Sequence, residues 1–83
     1  MLVFKKEKLV ECTQAEFAKI EGIYKTASCF NDAVNRLYVE FVYFRMPYKA
    51  ESKSVSTTVL KNMAYNAVSA VVNKYKYLKI KED

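Results

Sequence analysis

Residues 36–48, RLYVEFVYFRMPY from Arg36 to Tyr48, place five aromatic side chains in thirteen positions. Whether this stretch coils or extends decides the fold. As part of a helix over about 32–46 it has a main apolar face of Val34, Leu37, Tyr38, Phe41 and Phe44. The polar side, Asp32, Asn35, Arg36 and Glu40, stops at Glu40. Past it, Val39, Val42, Tyr43 and Met46 make a second apolar stripe. A helix that is apolar nearly all round is either enclosed or waiting for a partner. As a strand, Leu37, Val39, Phe41 and Tyr43 alternate, and their residue types suit a pleated surface. Residues 37–45 would then be the central strand of an α+β domain. The Asp32–Arg36 segment favours the helix, and Pro47 ends the element either way.

Two further helices flank this one. The first, about 14–28, opens on TQAE, a capping box in which Thr13 caps a backbone N–H and Glu16 sits three residues on. Phe17, Ile20, Tyr24 and Ala27 form its inward face. The back carries only small residues, Ala15, Ala18, Gly22, Thr26 and Cys29, which would let another backbone approach closely. SCFND reads as a turn in which Asn31 or Asp32 can cap the next helix.

After the polar loop PYKAESKS, a third helix of about 54–73 starts at Ser54 or Ser56. It has a broad apolar arc from Val59 to Val72. Opposite lies an uncharged polar stripe, Thr58, Asn62, Asn66, Ser69 and Asn73, with Asn73 suited to a left-handed C-terminus. Residues 1–11 read as a short extended segment or a hairpin around KKEK, and the last residues as a strand or a basic tail. The expected fold is therefore mainly α, a single three-helix domain over 1–83, with the α+β arrangement as its rival.

The inventory narrows the chemistry. The chain has 83 residues, two cysteines, one glycine, one proline and no histidine. Without histidine there is no zinc pattern of the usual kind and no Ser-His or Cys-His pair. One glycine cannot build a phosphate-cradling loop. Lys61, beside the apolar arc, is the sole candidate nucleophilic lysine, a role that needs burial. Cys12 and Cys29 flank a helix that would separate them by roughly 25 Å, against a disulfide's ~7 Å limit. Two free thiols, no metal, no cofactor and no small-molecule substrate are expected, in a non-enzymatic protein. No apolar run approaches the ~18 residues of a membrane span, and the charged N-terminal segment does not resemble a signal sequence. A cytoplasmic location is expected.

The net charge of +5 is uneven. Residues 1–44 carry six basic and six acidic groups, whereas residues 45–81 carry eight basic groups and only Glu51 as an acid. Two functions compete on these terms. The first is a protein-interaction module, a homo-oligomer or a regulator of another protein, contacting its partner through Val39, Val42, Tyr43 and Met46, with Ala18 and Gly22 as a receiving surface. Aromatic and Met content favours such interfaces, and a small domain gains stability from association. The alternative is nucleic-acid binding through Lys74, Tyr75, Lys76, Tyr77, Lys79 and Lys81, with Asn62 and Asn66 reading a groove.

Overall fold

A computed structural model describes residues 1–51 and 54–82. Its elements run β1 (Leu2–Lys5), β2 (Lys8–Thr13), α1 (Gln14–Thr26), α2 (Phe30–Val42), β3 (Tyr48–Lys49), α3 (Thr57–Val72) and β4 (Lys79–Lys81). The fold is α+β, which corrects the expectation of a mainly α domain. The α+β rival has the right class but the wrong strand. Residues 37–42 are helical, and the sheet is built from the two ends of the chain and the residues after Pro47.

The hairpin β1–β2 is the centre of a four-stranded sheet in the order β3-β1-β2-β4. The hairpin strands are antiparallel, with Phe4 opposite Leu9 and Lys5 opposite Lys8. Both outer strands run parallel to their neighbours, β3 to β1 and β4 to β2. The turn is Lys6-Glu7, with φ of 49° and 67°. Positive φ at both central residues is the type I′ signature and matches the twist of the strands it joins. No glycine or asparagine occupies it. Part of the cost is met from outside, because Asn66 Nδ2 on α3 donates to the Glu7 carbonyl at 2.8 Å.

The helices cover one face of the sheet. Leu2, Phe4, Leu9 and Cys12 point inward and join Ile20 of α1, Val34, Leu37 and Phe41 of α2, and Leu60, Met63, Ala67, Val68 and Val71 of α3 in one buried cluster. Phe41 is its aromatic centre, edge-on to Phe4 with centroids 6.0 Å apart and tilted against Tyr48 at 5.2 Å. Removing most of such a side chain from water contributes about 1.5–3 kcal/mol. That is the term that makes residues 30–42 a helix: coiling puts Leu37 and Phe41 on the same side, four apart, where both reach the sheet.

The helix starts follow local chemistry. Thr13 and Glu16 form the reciprocal capping box, Glu16 N–H to Thr13 Oγ1 at 3.1 Å and Thr13 N–H to Glu16 Oε1 at 2.9 Å. Ser56 caps α3 through the Val59 N–H at 3.2 Å, so Ser54 is not its start. α2 begins earlier than the SCFND reading placed it, with Cys29 at the cap position and no side-chain cap bond. Asp32 instead accepts from the Ser28 N–H at 3.1 Å. In the polar loop, Ser52 and Lys53 lie outside the described residues.

Candidate interaction surface

The end of α2 decides which of its aromatics face solvent. The helix stops at Val42, four residues short of the expected boundary. Phe44 then adopts φ 54°, Phe44 N–H donates to the Phe41 carbonyl at 3.1 Å, and Arg45 N–H donates to the Glu40 carbonyl at 2.9 Å. These two bonds are the Schellman closure, in which the left-handed position usually belongs to glycine. A phenylalanine there turns the chain and points outward. Arg45 completes the closure with Nε 2.6 Å from Glu40 Oε2, while Lys19 of α1 reaches the other oxygen at 3.7 Å.

The turn exchanges two expected roles. Phe44, placed in the core by helical spacing, is 76% exposed, and Met46, placed on the contact stripe, is 2% exposed. The physical reason is the early helix end: the left-handed residue breaks the 3.6-residue periodicity, and the extended chain after it returns Met46 to the cluster. Met46 therefore leaves the candidate surface and Phe44 joins it. Val39, Val42 and Tyr43 stand at 39, 41 and 69% exposure. Val39, Val42 and Tyr43 share one helix face by their spacing of three and four.

Beside this patch, Ile23 of α1 with Arg36, Val39, Glu40 and Arg45 lines a shallow groove of about 300 Å³. Arg36 fastens its far end, with Nε 3.2 Å from Asp32 Oδ2 and Nη1 donating to Thr26 Oγ1 at 3.3 Å. The small stripe of α1 faces outward in the single chain. Ala18 is exposed, Gly22 half-buried, and a Cβ built on Gly22 would meet nothing within 4 Å. Among the described residues no backbone exploits the space, so close packing of α1 against them is not the reason for Gly22.

The structure brings together only part of the nucleic-acid alternative: Asn66 and Tyr75 line one hollow with Lys8, whereas Asn62 lies elsewhere. Asn66 is committed to the hairpin turn. Exposed Asn62 lies with Asn31, Asn35, Lys61 and Tyr65 along a hollow of about 340 Å³ between α2 and α3, so the amide stripe does not form one reading edge. Asn73 bonds Ser69 Oγ at 3.2 Å and is not the left-handed residue; Lys74 is, at φ 49°, in a second Schellman closure from Tyr75 N–H to the Ala70 carbonyl at 3.0 Å. Tyr75 and Tyr77 are exposed, their ring centroids 5.7 Å apart, with the Lys76 ammonium 5.1 Å from the Tyr77 ring. Lys79 and Lys81 belong to β4.

Lys61 is exposed, so it lacks the burial that would activate it. Cys12 and Cys29 are free, the first buried and the second exposed. Burial, with the Glu16 carboxylate adding to it, pushes the Cys12 thiol from 9.0 up to about 11. Among the described residues, no group of three or more Cys, Asp or Glu side chains is placed to hold a metal ion, and no helix is long and apolar enough to cross a membrane. No protein-family model, curated protein or solved structure matches the chain.

Proposed function

We propose that the protein is a non-enzymatic interaction module that pairs with a second copy of itself through the C-terminal end of α2. The observation that carries this reading is the outward Phe44, held in a left-handed backbone next to exposed Val42 and Tyr43. Keeping a phenylalanine in that conformation costs about 1–2 kcal/mol relative to glycine, and exposing it forfeits its burial. A partner surface would recover the burial and offset the backbone cost.

The surrounding charges favour a copy of the same chain. Along α1, α2 and the turn after it, the cations Lys19, Lys25, Arg36 and Arg45 are each paired with Glu40, Glu21 or Asp32. A nearly neutral, mixed rim meets its own two-fold image without strong repulsion. Ala18 and Gly22, on the outer side of the neighbouring helix, provide low relief against which the aromatic end of the partner's α2 can lie.

Sedimentation equilibrium tests the proposal. The wild-type chain is expected to reach twice its 9.6 kDa mass at micromolar concentration. Val39→Glu with Tyr43→Glu should return it to monomer with its circular dichroism unchanged, and Val42→Ser with Phe44→Ser should do the same with less charge. A wild-type chain that stays monomeric at several hundred micromolar, or double variants that still dimerise, would refute it.

A further inference from the structure

The side of the sheet away from the helices gathers a cluster of unpaired positive charge. Residues opposite one another in a ladder share a face. The pairs Leu2–Tyr48, Phe4–Leu9 and Cys12–Ile80 belong to the inward face. The alternate pairs form the outer one: Lys49–Val3–Glu11–Lys79 is a row across all four strands, Lys5–Lys8 a second, and Thr13–Lys81 a third. Five lysines thus share an open surface with one carboxylate, and Glu11 is already matched by Lys81 at 3.4 Å. Lys5, Lys8, Lys49 and Lys79 have no ion-pair partner among the described residues.

Facing lysines such as Lys5 and Lys8 repel each other, so this arrangement works against the sheet unless an anion occupies it. It also contrasts with the surface around α1 and α2, where Lys19, Lys25, Arg36 and Arg45 each reach a carboxylate. We propose that this outer sheet face binds single-stranded nucleic acid, with the lysines on its phosphates and the exposed Tyr75–Tyr77 pair, immediately before β4, stacking on its bases. The tyrosines favour a nucleic acid over an acidic peptide: Tyr75 lines a hollow with Lys8 at the α3 edge of the sheet, and exposed rings next to lysines suit stacking on unpaired bases. This surface is distinct from the α2 contact and includes Lys5, Lys8 and Lys49, which lie far from the C-terminal segment in sequence.

The test is fluorescence anisotropy of a labelled twelve-nucleotide oligo-dT with the purified full chain. Binding is expected at 50 mM salt, weakening by an order of magnitude or more at 200 mM as condensed counterions compete. Lys5→Glu, Lys49→Glu and Lys79→Glu together should lower affinity at least tenfold. Lys19→Glu, Lys25→Glu and Lys61→Glu, an equal change in net charge on the helical side, should change it by no more than two- to threefold. The corresponding Lys→Gln triples repeat the comparison should a glutamate variant fail to fold. Tyr77→Ala should weaken oligo-dT binding but leave labelled poly-glutamate unaffected. No binding at 50 mM salt, equal losses in the two triples, or poly-glutamate binding as tightly as oligo-dT would each overturn the proposal.

Discussion

Asn66, in the middle of α3, holds the tip of a hairpin fifty-nine residues away in sequence by donating its side-chain amide to the Glu7 carbonyl at 2.8 Å. The contact joins the helical layer to the one turn of the sheet whose backbone is held in the left-handed region. Asn66→Ala should destabilise the chain by about 1–2 kcal/mol, since a half-buried carbonyl loses its donor. Asn66→Asp should be worse at neutral pH, because a carboxylate would face that carbonyl. Urea melts of both variants at pH 7 test this, and an unchanged midpoint for Asn66→Asp would contradict it.

Four non-glycine residues, Lys6, Glu7, Phe44 and Lys74, occupy left-handed backbone among the described residues. Replacing Glu7 or Lys74 by glycine should stabilise the monomer by about 0.5–1 kcal/mol after the added flexibility of the unfolded chain is counted. For a domain of this size that is a rise of several degrees in Tm. Phe44→Gly should separate stability from association: the dilute monomer melts higher, while the dimer weakens. If Phe44→Gly lowers the monomer's Tm, the phenylalanine is contributing packing that its exposure does not suggest.

Gly22 offers the converse experiment. It lies mid-helix with open space where its Cβ would be, so Gly22→Ala should add about 0.5–1 kcal/mol to the monomer. If a second copy uses the stripe at close range, the same change should weaken the dimer. Melting at low concentration and sedimentation at high concentration read the two effects separately.

The thiols should differ in reactivity and in their effect on the pH dependence of stability. Exposed Cys29 should be alkylated within minutes at pH 8, and buried Cys12 only as fast as the protein opens. Cys12 titrates near 11 in the fold against 9.0 ordinarily, so the fold favours the protonated thiol. Its contribution is complete below pH 9 and is lost as pH rises from 9 through 11. Over that window the wild type should lose roughly 2 kcal/mol more than Cys12→Ala does. Parallel losses in the two proteins would remove Cys12 as the cause.

Much of the local structure is legible in the residues, because it rests on local chemistry. Thr13 and Glu16 announce the start of α1, Ser56 is one of two readable starts for α3, and the KKEK hairpin is one of the two readings that residues 1–11 allow. The sheet is not legible to the same degree. Its outer strands are two and three residues long and pair in parallel with partners far away in the chain, so no periodicity can develop. KYKYLKIK reads equally as a tail until Cys12 is found opposite Ile80. The exchange of Phe44 and Met46 depends on which residue takes the left-handed step, and a phenylalanine in that role carries no compositional flag. At the candidate surface Val39, Val42 and Tyr43 follow from helical spacing, whereas Phe44 follows only from the backbone after it. The lysine rows follow only from ladder register.

The brevity of β3 and β4 has a kinetic consequence. With two and three residues each, they hold few backbone hydrogen bonds, so their amides should exchange with deuterium long before those of the hairpin, through margin fraying at little free-energy cost. Lys49, Lys79 and Lys81 ride on these margins. An occupant spanning all four strands would act as a splint, slowing exchange at Lys49 and Ile80 many-fold while barely moving the global melt. Its arrival would be visible first at the rim of the sheet.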